Sequence, residues 1–160
     1  MKNQRMLDEL TELMRIDVSS GQETEIAEHL VKKLEQMGFA ITRDEAGATF
    51  GGVCGNILAV REGERDGVVC FCSHMDRVPG GIGIKPVEED GILRSSGDTI
   101  LAADDLSGVA AILEGVRQAI ESGKALPKLE ILFTVGEEAG LYGAKAFDVS
   151  LLTSKTMYVL

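Results

Sequence analysis

Three short stretches end an apolar run on side chains that can bind a cation or move a proton. "VVCFCSHMD" ends on His74 and Asp76, "ILAADDLSG" contains Asp104 and Asp105, and "LEILFTVGEEAG" contains Glu137 and Glu138. Carboxylates and an imidazole brought together without a basic cluster carry an electrostatic cost, and a divalent cation removes it. Neutral imidazole and carboxylate oxygens suit zinc, with Co2+ or Mn2+ as substitutes. His74 and Asp76 fall on the same side of an extended segment, so Asp76 can hold the ring nitrogen turned away from a metal and fix its tautomer. Glu137 and Glu138, being adjacent, point differently: one can bind metal while its neighbour handles a proton. A free carboxylate beside a metal-bound water is the arrangement hydrolysis needs.

Each residue also has a plainer reading. Asp104 or Asp105 can be the N-cap of a following helix, the commoner job of Asp before "LSG". Glu137 and Glu138 can be solvated first-turn residues beside a helix dipole. His74 can be a hydrogen-bonded core histidine. Singly, the plainer reading is preferred each time; three coincidences at strand ends favour the metal.

Elements must bring these groups together. Met6, Leu7, Leu10, Leu13 and Met14 recur at helical spacing. "SSGQETEIAEHLVKKLEQMGF" reads as a second helix, with Ser20 and Glu23 as a capping box, Ile26, Leu30, Leu34 and Met37 on one face, and Gly38 as its end. A third lies in "LSGVAAILEGVRQAIESG", with Val109, Leu113, Val116 and Ile120 inward and Gly123 as cap. Strand-like runs are "FAITRDE", "GNILAVRE", "GVVCFCSH", "KLEILFTV" and "KTMYVL", with a hairpin at "IKPVEEDGILRSS" and a short helix at "GLYGAKAF". Strands alternating with helices imply an α/β layered fold around a mixed, mostly parallel sheet, the first two strands forming an antiparallel hairpin joined to it. Parallel strands present their C-terminal ends on one edge, where the three acidic segments converge.

A length of 160 residues amounts to one domain with a real core. The net charge of −10 argues against nucleic acid or an anionic membrane as partner. No stretch reaches bilayer-spanning length, and the N-terminal segment has no apolar signal-like run. Cys54, Cys70 and Cys72 form no disulfide framework, so a reducing cytoplasm is the expected compartment. Cys70 and Cys72 share a strand face and read as small core residues rather than metal ligands.

"SHMD", "ILAADDLSG" and "FTVGEEAG", in that order and at these separations, resemble the co-catalytic zinc exopeptidases that include peptidase T, an aminotripeptidase. Carboxypeptidases and aminoacylases belong to the same broad family, and the resemblance runs through nearly the whole chain. It implies a three-layer α/β sandwich and a site of two Zn2+ ions acting on a short peptide. In it His74 binds one zinc, Asp104 bridges both and Glu138 binds the other. Glu137 is the general base, Asp76 orients His74, and a cis peptide joins Asp104 to Asp105.

Two features depart from the pattern. Leu106 stands where the family usually has Lys after the acidic pair. His74, Asp104 and Glu138 are three ligands for two ions, where each zinc wants about four. The family draws the rest from an Asp after the strand matching "KTMYVL" and from a His near the end of a longer chain. His29, on the polar side of the second helix, is a poor replacement. Residues 1–160 are therefore expected to be the N-terminal portion of the catalytic domain, with the lid and dimerisation domain and the remaining catalytic segments outside it. Full-length family members are often homodimers, and this portion alone is expected to show little activity. The competing expectations are an N-acyl amino acid deacylase, a carboxypeptidase, or a non-catalytic fragment.

Overall fold

Short apolar runs build a five-stranded sheet whose order explains how residues distant in sequence meet. In the computed structural model, which describes residues 4–160, the strands in chain order are β1 (Ala40–Arg43), β2 (Ile57–Arg61), β3 (Val68–His74), β4 (Pro86–Glu89), β5 (Ile92–Ser95), β6 (Lys128–Thr134) and β7 (Met157–Val159). The main sheet runs β1-β2-β6-β3-β7, while β4 and β5 form a separate hairpin. β3, β6 and β7 are parallel; β2 is antiparallel to β6, and β1 to β2. The sheet is mixed with a parallel core, as the sequence predicts. β6 lies at its centre, and Leu129, Ile131, Leu132 and Phe133 are buried across both faces. That double burial explains its almost unbroken apolar run.

Helices α1 (Gln4–Met14), α2 (Thr24–Gln36) and α3 (Ala103–Glu121) cover one face. Leu13, Ile26, Leu30, Leu34, Val109 and Leu113 pack there with Ile57, Ala59, Ile131 and Phe133. On the other face Leu58, Cys72 and Leu132 lie under Phe147 and Leu152, which follow the short helix α4 (Tyr142–Ala146). The second outer layer is thin because a five-residue helix and its flanking loop are what these residues supply to it.

One local expectation is corrected. Ser20 and Glu23 do not form a capping box: α2 starts at Thr24, and Glu23 at its N-cap makes no side-chain capping bond. Gly21, at φ +84°, turns the chain and carries Ser20 out of helix register. Ser20 Oγ instead donates to Asp76 Oδ2 at 2.5 Å, and Glu23 Oε1 accepts from the Gly21 and Gly136 amides at 2.8 and 3.0 Å. The expected helix ends hold, with Gly38 and Gly123 at positive φ.

Candidate metal centre

The three acidic segments meet at one edge of the sheet. His74 is the last residue of β3, and β6, its parallel neighbour, runs out through Thr134 into the turn carrying Glu137 and Glu138. Asp104 opens α3, joined to Asp105 by a cis peptide. One ligand-type atom from each of His74, Asp104 and Glu138 lies within 4.8 Å of the others. His74 Nε2 is 3.2 Å from Asp104 Oδ1 and 3.9 Å from Glu137 Oε2. Its other nitrogen, Nδ1, lies 3.2 Å from the Asp76 carbonyl oxygen and 3.5 Å from its carboxylate. All five residues singled out in the sequence are thus brought together, with His74 and Asp76 buried and Asp104 open to solvent.

The two aspartates of "ILAADDLSG" divide the two roles open to them. Asp105 Oδ1 accepts from the Gly108 amide at 3.1 Å, and its Oδ2 accepts from Ser73 Oγ at 2.5 Å. The first is an N-capping bond, made once the backbone settles into regular helix after Asp105. A Cβ at Gly108 would stand 2.5 Å from the Asp105 carboxylate, so the cap needs glycine there. Asp104, which makes no capping bond, is left to face His74 Nε2.

Electrostatics follow from this crowding. Burial works against a charge on His74, yet the Asp76 carboxylate, with Asp104 and Glu137, pushes its pKa up to about 9. Burial raises Asp76, but His74, Ser20 and the Glu137 and Glu138 amides outweigh it and hold the carboxyl below its ordinary value. Burial, and then Asp104, Glu137 and Asp76, raise Glu138 despite the opposing pull of His74.

These groups fit a divalent cation. The donors are an imidazole and carboxylate oxygens, and among the described residues no lysine or arginine pairs with Asp104, Glu137 or Glu138. A second cluster, Glu9, Glu12 and His29, makes the contrast. Lys33 bonds both of its glutamates at 2.8 Å and Arg117 bonds Glu9 at 2.9 Å, so the protein already balances that charge. Cys70 and Cys72 are buried, and burial lifts their thiols to about 12 and about 11, in keeping with core residues. A cleft of about 400 Å³ opens beside His74, Asp104 and Glu137, with Leu132, Leu141 and Phe147 in its wall.

Sequence reasoning misses the groups behind the site. Ser20, Glu23 and Asn56 each bond the site's backbone or Asp76. Ser73 ties down Asp105. Arg77 is buried beside Asp76 and donates to the Ile16 and Gly81 carbonyls at 2.8 and 3.0 Å, anchoring this loop to the end of α1. Only the adjacency of Ser73 to His74 and of Arg77 to Asp76 is visible in the sequence.

The chain is similar to proteins of related architecture. It is 37% identical to YqjE of Bacillus subtilis over 161 residues, spanning 100% of this chain and 43% of that protein. It superposes on the crystal structure of aminopeptidase PepT from Bacillus cereus with a TM-score of 0.94 at 39% identity, covering 98% of this chain and 43% of that one. A tripeptidase from Staphylococcus aureus gives a TM-score of 0.92 at 34% identity, with 98% and 42% covered. The chain spans less than half the length of these relatives. Residues 56–160, which hold every one of the five clustered side chains, match peptidase family M28, and the chain belongs to that family.

Proposed function

We propose that this chain is the N-terminal part of the catalytic domain of a zinc-dependent aminopeptidase acting on short peptides, tripeptides above all. The observation that carries this reading is the imidazole–carboxylate cluster at the sheet edge, with a free glutamate beside it. The likeness to an aminopeptidase and a tripeptidase supports the substrate class, and coverage of less than half their length agrees with a part of a longer catalytic chain. His74, Asp104 and Glu138 would hold metal, with the remaining ligands, the lid and any homodimer contacts lying outside these residues. Three free cysteines agree with a cytoplasmic setting. Among the described residues, no helix is long and apolar enough to cross a membrane.

The metal, when bound, supplies a Lewis acid that polarises the scissile carbonyl and acidifies water. Glu137 takes the proton of the attacking water on a carboxylate oxygen and returns it to the amine nitrogen as the C–N bond breaks. Asp76 is a positioning residue: it holds the Nδ1 side of His74 and leaves Nε2 facing Asp104.

The test replaces the matched segment of Bacillus cereus PepT with these 160 residues. The chimera is expected to release N-terminal residues from tripeptides with zinc, and Glu137→Ala to lower kcat at least about 100-fold. A folded, zinc-loaded chimera that ignores tripeptides but cleaves N-acyl amino acids or C-terminal residues would assign the chain to the related deacylases or carboxypeptidases. The 160 residues alone are expected to turn over little, and robust turnover abolished by Glu137→Ala would reverse that expectation.

A further inference from the structure

Four consecutive backbone amides in the turn after β6 are each held by a side chain from another part of the fold. Val135 N donates to Asn56 Oδ1 at 3.1 Å, Gly136 N to Glu23 Oε1 at 3.0 Å, Glu137 N to Asp76 Oδ1 at 3.0 Å and Glu138 N to Asp76 Oδ2 at 3.1 Å. Exposed turns commonly leave such groups to water. We propose that Ser20 and Glu23, on the loop ahead of α2, are positioning residues that set the geometry of Glu137 and Glu138. The inference rests on the reading of those two glutamates as base and metal ligand.

Glu23 is fully buried, and its Oε2 has no hydrogen-bond partner among the described residues. Burying a carboxyl group with one oxygen unsatisfied costs stability, and here no helix cap offsets it. What its other oxygen does is join the Gly21 amide to the Gly136 amide, fastening the loop before α2 to the turn that carries both glutamates. Gly136 sits at φ +59° with the Phe50 ring where a Cβ would be, so the turn is confined from that side as well.

Ser20 acts through Asp76. One carboxylate takes the Glu137 amide on Oδ1, the Glu138 amide and the Ser20 hydroxyl on Oδ2, and faces His74 Nδ1. Without the Ser20 hydroxyl, the carboxylate loses one of the four contacts that fix its orientation, and both glutamates loosen together with His74. Asp76 is one bond removed from His74, and loss of such a partner commonly changes metal affinity roughly 10–100-fold; Ser20 stands one bond further out and should reach the lower end of that range.

The test uses the 160-residue chain, with amide hydrogen exchange in the metal-free protein and cobalt(II) as the metal probe, read by its visible absorption. Ser20→Ala is expected to speed exchange at Glu137 and Glu138 while the core amides of α3 stay protected. It should also weaken cobalt binding by up to about 10-fold and alter the absorption band. Ser20→Thr restores both readouts. Glu23→Ala has the same effect centred on Gly136, and Glu23→Gln, which keeps the accepting oxygen, restores it. Ser95→Ala, which removes a hydroxyl bonded to Thr99 by the hairpin, leaves both readouts unchanged. If Glu23→Ala does not fold, Ser20→Ala and its Thr rescue carry the test. Unchanged exchange and cobalt affinity in Ser20→Ala and Glu23→Ala overturn the proposal, while a loss of cobalt in His74→Ala leaves the metal site standing. Cobalt bound equally well by His74→Ala overturns the metal site and, with it, the positioning role.

Discussion

His74 meets a carboxylate at each ring nitrogen, and that determines what a metal must displace. In the metal-free chain its pKa stands at about 9, so near neutrality the ring holds a second proton. Metal binds the deprotonated ring; apparent affinity should therefore rise with pH and level off near 9. Zinc uptake near neutral pH should release a proton, measurable by calorimetry in buffers of different ionisation enthalpy. An affinity that stays flat from neutrality up to about pH 9 would remove the claim. Gly136 supplies a second prediction at this scale. Its φ of +59°, and a Phe50 ring carbon 2.6 Å from where an added Cβ would stand, oppose any side chain there. Gly136→Ala should therefore destabilise the fold by about 1–3 kcal/mol, readable as a lower urea midpoint. The five clustered residues are legible in the sequence because each follows an apolar run. Ser20 and Glu23 are not, because S-x-x-E is also the pattern of a local cap, and their partners Asp76 and Gly136 lie 56 and 113 positions further on.

Between elements, ion pairs join α1 to α3 alongside their apolar packing. Arg5 bonds Glu114 at 2.7 Å and Glu121 at 2.6 Å, and Arg117 and Gln118 also reach Glu114. The Arg5 bond, opposed by burial and helped by Gln118 and Arg117, holds the Glu114 carboxyl down at about 2 against an ordinary 4.5. A depressed carboxylate stabilises the fold fully above its unfolded value and loses that contribution as pH falls through its folded one. Urea midpoints should therefore fall as pH drops from 4.5 to about 2, and Glu114→Gln should be less stable at neutral pH with a flatter profile over that window. The same slope in the variant would point to other carboxylates. Helix faces are legible at this scale: Val109, Leu113 and Val116 are buried as their spacing predicts. So is the hairpin, where Asp90 and Gly91, both at positive φ, make the tight turn between β4 and β5. The start of α2 is not, because a single glycine turn displaces it from the position its polar residues suggest.

Across the whole molecule, the site is a product of topology. Placing β3 beside β6 in parallel brings His74 level with Thr134 and the acidic turn that follows, although 64 positions separate His74 from Glu138. The sequence predicts that parallel strand ends converge; it does not specify the order β1-β2-β6-β3-β7, because strand pairing at long range leaves no local pattern. A cation held by β3, α3 and the turn after β6 would link three elements that the unfolded chain leaves apart, so binding must stabilise the fold as a whole. Zinc at about 100 times its dissociation constant should add about 2.7 kcal/mol, a rise in melting temperature of roughly 5–10 °C for a chain of this size. The effect should vanish with chelator and in His74→Ala. His29→Ala should keep it in full, because Lys33 and Arg117 already neutralise the glutamates beside His29. A shift lost with His29 and kept without His74 would move the metal to the other cluster. The two variants thus decide, from stability alone, which of two acidic clusters is built for a cation and which is built for ion pairs.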